Sequence, residues 1–217
     1  MNICWLDLET TNADEHTGSI VEIGCVMTDQ DLREIEDISL LVQPNPEHVE
    51  AMPEVVRRMH EASGLLAAMD ANEQARIDGE VPDDHPLPDA DRLLRQFLDR
   101  HAVSGRVILA GSGVSHFDHR WVRLHLPRSA ERLTWWAYDV GNVRRFLGSI
   151  DKALLRPMPE GGKAHRGIVD ARDHLDEWRY YRSLVREAIT PLRTAAARPP
   201  EPRPLVDVLA DESVEEG

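Results

Sequence analysis

Two acids stand two residues apart in an apolar run near the start of the chain, Trp5-Leu6-Asp7-Leu8-Glu9-Thr10-Thr11. Ile3–Leu8 reads as a buried strand, and alternate residues of a strand share a face. Asp7 and Glu9 therefore aim side by side at one spot. Two ionised carboxylates buried there repel each other and lose their hydration unless a positive charge sits between them. A divalent cation answers that need. Hard oxygen donors with no Cys or His cluster nearby favour Mg²⁺ or Mn²⁺ over zinc. Three further sites, four residues in all, carry chemistry. Asp118 follows a buried strand and the turn Gly111-Ser112-Gly113, which puts it on the first turn of a helix. There it serves as a ligand or complements the helix dipole. His165 and Asp170 lie five residues apart, which on one helix separates them by about 140°. They converge only if His165 sits in the loop after Gly161-Gly162 and Asp170 inside the helix. Asp139 ends a strand, where it either caps the next helix or acts in chemistry.

The elements that must position these residues follow from pattern. Ile3–Leu8, Ser19–Thr28 and Ile35–Val42 read as strands of an antiparallel meander. Glu54–His60 and Ala62–Ala71 read as helices. Asn72–Asp89, acidic and with three prolines, reads as a loop. Asp89 or Asp91 can cap a helix that runs to His101 with Leu93, Leu94, Phe97 and Leu98 inward. Val107–Ala110 is a short buried strand, followed by a helix from about Phe117 to Leu126. A strand at Thr134–Val140, a helix opening at Asn142–Leu147 and a long helix at Val169–Ile189 complete the pattern. Strands first, then strands alternating with helices, indicate an α/β fold with a mixed sheet flanked by helices. We expect one domain over residues 1–192. Residues 199–217 hold six acids against the single base Arg203, with four prolines. That composition marks a disordered acidic tail from about residue 193.

Composition narrows the partners. The formal charge of −14 over 217 residues argues against a broad duplex-binding face. An acidic chain can still handle short or single-stranded substrate through metal ions and a local basic patch. Cys4 and Cys25 lie in buried strands outside any metal-binding spacing and read as reduced core residues. No stretch approaches the ~18 apolar residues of a membrane span, and no leader is visible. The expected location is the cytoplasm.

Taken in order, Asp-x-Glu on the first strand, Phe-Asp after a glycine turn, and His-x4-Asp near the last helix resemble the DEDDh 3′→5′ exonucleases. That family has a ribonuclease H-like fold, which implies a mixed five-stranded sheet flanked by helices. The resemblance runs from residue 3 to about 186 and is nearest to oligoribonuclease. Met59-His60-Glu61-Ala62-Ser63-Gly64-Leu65, Tyr138-Asp139-Val140 and Trp178-Arg179-Tyr180-Tyr181-Arg182 carry it further. It implies that Asp7, Glu9, Asp118 and Asp170 bind two Mg²⁺ or Mn²⁺ ions and that His165 is the general base, a role that histidine as a residue type suits. It also implies that Leu8, Thr10, His60 and His165 meet the 3′-terminal nucleotide, and that the product is a nucleoside 5′-monophosphate. Arg120, Arg123, Arg144, Arg145 and Arg166 are candidates for phosphate contacts, or else solvated helix faces.

The chain also departs from oligoribonuclease. That enzyme holds dinucleotides with a leucine wedge, an aromatic residue, and an arginine and a serine that cap the 5′ phosphate. Here the corresponding positions are Ala13, Val55, Trp136 and Gly141. The expectation is therefore an open-ended exonuclease on short or single-stranded RNA or DNA. The alternatives are a strict dinucleotide enzyme and a non-catalytic binding module. Trp135 or Trp136 can stack on a base or, with Tyr180-Tyr181, serve a homodimer surface.

Overall fold

A computed structural model describes residues 1–103, 105–157 and 164–196, with side chains to residue 190. Its first compact unit is Met1–Tyr181. Strands β1 (Ile3–Thr10), β2 (Ile20–Thr28), β3 (Glu34–Leu41), β4 (Val107–Gly111) and β5 (Leu133–Asp139) form one sheet in the order β3-β2-β1-β4-β5. β1 pairs antiparallel with β2 and parallel with β4; β2–β3 is antiparallel and β4–β5 parallel. The fold is thus the expected ribonuclease H-like mixed five-stranded sheet, with β1 at its centre.

Period-2 alternation along β1 assigns its residues to two cores. Cys4, Leu6 and Leu8 pack with Ala90, Leu94, Phe97 and Leu98 of α4 (Leu87–His101) and with Trp121 and Val122 of α5 (Asp118–His125). Ile3 and Trp5 pack on the opposite face with Ala171 and Leu175 of α8 (Gly167–Ala196). Trp5 is fully buried, and its indole N–H donates to Thr28 Oγ1 at 3.1 Å. Asp7 and Glu9 continue the Ile3–Trp5 face, so the same rule that buries the tryptophan aims both acids towards α8.

Between β3 and α4 lie α1 (Pro46–Glu50), α2 (Glu54–Ala62) and α3 (Leu65–Asp78). α6 (Pro127–Ala130) precedes β5, and α7 (Val140–Ile150) follows it. Several boundaries differ from the sequence reading. The segment read as a loop from Asn72 to Asp89 is helical to Asp78. Acidic composition hid local anchors there: Asn72 Oδ1 accepts from Asp83 N at 2.7 Å, and Arg76 pairs with Asp84 at 2.6 Å. Neither Asp89 nor Asp91 caps α4, which starts at Leu87 after Pro86. Asp91 instead accepts from the backbone N–H groups of Arg128 and Ser129, anchoring α6. α8 starts earlier than Val169 and runs on to Ala196. The second unit begins at Arg182; within it Thr190 Oγ1 donates to the Arg186 carbonyl at 2.8 Å, an ordinary intrahelical bond. The expected tail lies outside the described residues from 197 onward.

The cysteines also differ from expectation. Cys4 and Cys25 are joined as a disulfide, with Cα atoms 6.2 Å apart. In the β1–β2 register Cys4 faces Met27 and Leu6 faces Cys25. The pair is therefore diagonal on one sheet face, a relation that spacing in the sequence did not display. Among the described residues no helix is long and apolar enough to cross a membrane.

Candidate active site

A cleft of about 300 Å³ opens at the C-terminal end of β1, and Asp7, Glu9, Asp118, His165 and Asp170 all line it. Four segments deliver them. β1 supplies Asp7 and Glu9. A bulge falls between Glu9 and Thr10, where the β1–β2 register shifts, bending the strand end as bulges do beside functional sites.

Asp118 is the first residue of α5 and is 4 % exposed. β1 and β4 pair only as far as Trp5 and Ala110. Beyond that point the Leu8 N–H has no strand partner on β4 and donates to Asp118 Oδ1 at 3.0 Å, so the backbone requirement of one element fixes the carboxylate of another. The preceding glycine turn is held by Asp139, whose carboxylate accepts from Gly113 N at 3.0 Å, Ser115 N at 3.3 Å and Asn142 N at 3.2 Å. Burial pushes the Asp139 pKa up, but these backbone N–H groups outweigh it and hold the carboxyl below the usual carboxylate value. Of the two readings of Asp139, the structure shows the cap, here shared between α7 and the turn that leads to Asp118.

His165 lies in the loop, with φ +53°, and Asp170 in the first turn of α8. That is the geometry their spacing demanded. Gly161-Gly162 lie outside the described residues. The ligand atoms of Glu9, His165 and Asp170 fall within 4.8 Å of one another. With Asp7 and Asp118 on the same cleft, this donor set is mostly carboxylate oxygen and fits a hard divalent cation.

Sequence reasoning missed what holds this loop. Glu22, fully buried on β2, stands directly opposite Glu9 in the register. It takes Arg166 by Nε at 3.1 Å and Nη2 at 2.8 Å, and accepts from Gly167 N at 2.8 Å. Hydrogen bonding to Glu22, helped by the charge of Glu9, raises the Arg166 pKa against its partial burial. Arg166 thereby offsets the repulsion between two facing acids. Beneath it, Gly24 and Gly167 touch through their backbones: a Cβ at Gly24 would lie 2.0 Å from the Gly167 carbonyl carbon, and one at Gly167 would lie 3.1 Å from the Asp7 carbonyl. Only two glycines let α8 start this close to β1 and β2. His174, four residues after Asp170 and so on the same helix face, is 1 % exposed with Nδ1 3.8 Å from Asp7 Oδ1. The helical spacing from Asp170 was the signal available for it.

Leu8 and Thr10 line the cleft. His60 does not: it is fully buried behind it, with Nε2 2.9 Å from the Thr10 carbonyl and Nδ1 3.8 Å from Glu9. Burial lowers its pKa more than the Thr10 carbonyl raises it, which favours the neutral ring. Its Nε2–H then donates to Thr10. His60 thus touches the residues of the cleft rather than the open space.

The five candidate phosphate arginines separate. Arg120 pairs with Glu15 (Nε–Oε1 2.8 Å), Arg144 with Glu177 (Nε–Oε1 2.6 Å) and Arg166 with Glu22, while Arg145 donates to Asn142 Oδ1 at 2.9 Å. Arg123 has no side-chain partner of this kind among the described residues.

The chain matches a family model described as Exonuclease over residues 4–177. It is 27% identical over 183 residues to the oligoribonuclease of Streptomyces coelicolor, covering 83% of this chain and 85% of that protein. The oligoribonuclease of Corynebacterium glutamicum is 29% identical over 182 residues, covering 83% and 78%. Among solved structures, exonuclease I of Methylocaldum szegediense superimposes with TM-score 0.56 at 16% identity over 84% of this chain. E. coli exonuclease I, solved with an oligonucleotide, gives 0.53 at 11%. These two likenesses speak to the fold. The chain spans 40% of the length of each exonuclease I chain.

Proposed function

Because the chain belongs to the exonuclease family through residues 4–177, we propose that it is a metal-dependent 3′→5′ exonuclease that hydrolyses short or single-stranded nucleic acid to nucleoside 5′-monophosphates. One observation carries this reading: Asp7, Glu9, Asp118, His165 and Asp170, drawn from four segments, line a single cleft. Asp7, Glu9, Asp118 and Asp170 are the residues that would hold divalent ions, Mg²⁺ or Mn²⁺. Bound there, such ions lower the pKa of water and offset charge on a phosphodiester. His165, at the cleft and close to Glu9 and Asp170, accepts the proton of the attacking water. Leu8 and Thr10 border the 3′-terminal nucleotide, while buried His60 fixes the Thr10 backbone that forms the cleft wall.

The preference for more than a dinucleotide rests on the residues that stand where oligoribonuclease carries its dinucleotide contacts. Ala13 lines the cleft with no more than a methyl group, and Val55 is 75 % exposed and outside its lining. At Gly141 a Cβ would lie 3.1 Å from Ser112 Oγ, so a serine cap at that position meets a hydroxyl already in place. Strict dinucleotide hydrolysis is the second reading, favoured by similarity to oligoribonucleases along most of their length. The test is turnover, with Mn²⁺, of 5′-labelled dinucleotides and 20-mers of RNA and DNA. We expect the 20-mers to be degraded at least as readily. Strong preference for the dinucleotide establishes the second reading, and no turnover of any oligomer rejects both.

A further inference from the structure

A second hollow, of about 380 Å³, lies between α5 and the edge strand β5. Arg106, His119, Arg123, Glu131 and Trp135 surround it over an apolar floor that includes Leu133. Trp135 is the anomaly. On β5, Leu133 and Ala137 join the core under α4 and α5. Between them the β4–β5 register shifts, with Leu133 opposite Val107 and Ala137 opposite Leu109, so strand alternation breaks there and Trp135 stands 78 % exposed. The irregular stretch leaves this large aromatic open beside the hollow.

The charges make the same point. Around the hollow, arginines are neutralised by acids: Arg95 by Asp99 and Glu131, Arg120 by Glu15, Arg132 by Asp99. Glu131 is thus already engaged. Arg106 and Arg123, which face the hollow, form no ion pair among the described residues. In a chain of net charge −14, two uncompensated guanidinium groups beside an open indole form a local site for anionic, aromatic material.

We propose that this hollow is a second nucleic-acid subsite, which takes a base on Trp135 and the adjoining phosphates on Arg106 and Arg123. It rests on the exonuclease reading above and names what that reading lacks, the element that holds substrate beyond the terminal nucleotide. The placement suits the role. His119 of the hollow and Asp118 of the cleft are consecutive residues of α5, so one helix borders both. Arg123 also lines a depression with Glu15 and His16, two residues beyond Ala13 of the cleft. Arg106 lies at the opposite end of β4 from the cleft, and five strand residues span about 13 Å. At 3.4 Å per stacked nucleotide, that distance is about four nucleotides. Trp135, set between Leu133 opposite Val107 and Ala137 opposite Leu109, lies in the far half of that span, beyond a dinucleotide in the cleft and within reach of a longer single strand.

The test is fluorescence anisotropy in EDTA with the full chain and 5′-fluorescein-labelled DNA of two or twelve nucleotides. Wild type is compared with Trp135→Ala and with Arg106→Gln/Arg123→Gln, all at exposed side chains. We expect each variant to lose about tenfold in affinity for the twelve-mer, the scale of one base stacked on an aromatic ring, and to bind the dinucleotide as wild type does. The double arginine variant should also flatten the salt dependence by about 1.4 in slope, two single-strand phosphate contacts. Unchanged twelve-mer binding overturns the proposal, as does equal loss for both lengths. So does a Trp135→Ala variant that turns a dimer into a monomer without altering length preference, which would assign the face to a second copy of the chain. Because this binding needs no turnover, loss of the subsite and failure of the nuclease reading are read separately: a wild type that binds the twelve-mer through Trp135 but hydrolyses nothing with Mn²⁺ defeats only the latter.

Discussion

Two supports bring residues to the end of β1, and they are built on different physics. On the α8 side, Gly24 and Gly167 meet backbone to backbone, and buried Glu22 clamps Arg166 and Gly167. That support is steric and ionic, and it has no slack. On the α5 side, Asp139 gathers the glycine turn and the start of α7 through backbone N–H groups, and Asp118 takes the free Leu8 N–H. That support is a set of backbone hydrogen bonds to two carboxylates, three of them to Asp139 and one to Asp118. The difference teaches where the site tolerates change. Close packing has few ways to relax, whereas a hydrogen-bonded turn weakens by degrees and responds to pH.

The largest effect should come from the steric support. Gly24→Ala places a methyl group 2.0 Å from the Gly167 carbonyl carbon, and backbone cannot step aside as a flexible side chain would. We expect a loss of about 3 kcal/mol in denaturant unfolding, together with lost activity. A Gly24→Ala protein of wild-type stability would show that α8 can withdraw freely, and the comparison would collapse.

Glu22→Gln should come next. It preserves shape but removes the charge that holds Arg166, whose side chain is partly exposed and can turn to water. Activity should fall about 10- to 100-fold, as when a partner that orients active-site ligands is removed, with little change in unfolding. Wild-type turnover would mean that the clamp does not position His165 and Asp170.

The smallest effect belongs to Asp139→Ala, which should cost about 1–2 kcal/mol at neutral pH. Its sign with pH is fixed. The folded carboxyl lies below its ordinary value, through its backbone hydrogen bonds and against burial. Its stabilisation is therefore complete above the unfolded pKa of about 3.9 and fades as pH falls through the folded value. The stability gap between wild type and Asp139→Ala should narrow below about pH 4, followed by urea titration across pH. A gap that widens on acidification would contradict the assignment.

How much of this was legible in the sequence follows the same division. The period of two along Ile3–Glu9 gives the face of β1, and with it the convergence of Asp7 and Glu9. The five-residue spacing of His165 and Asp170 required a loop and a helix, and the structure has both. What the sequence hid is what depends on register. Glu22 reads as one more acid until β2 is laid against β1 and it falls opposite Glu9. Gly24 reads as an ordinary glycine in a strand until α8 approaches it. Cys4 and Cys25 read as separate thiols until the register makes them diagonal neighbours. The same holds for arginines: Arg123 differs from Arg120 only in lacking a Glu15 of its own.

The central claim is that the five residues of the β1 cleft form a nuclease site that works from the 3′ end. One gel of a 5′-labelled single-stranded oligonucleotide, incubated with Mn²⁺ and either wild type or Asp7→Ala, tests it most directly. The account predicts a ladder that shortens one nucleotide at a time from the 3′ end in wild type and an intact band in the variant. Immediate release of labelled mononucleotide, or a variant as fast as wild type, would contradict it.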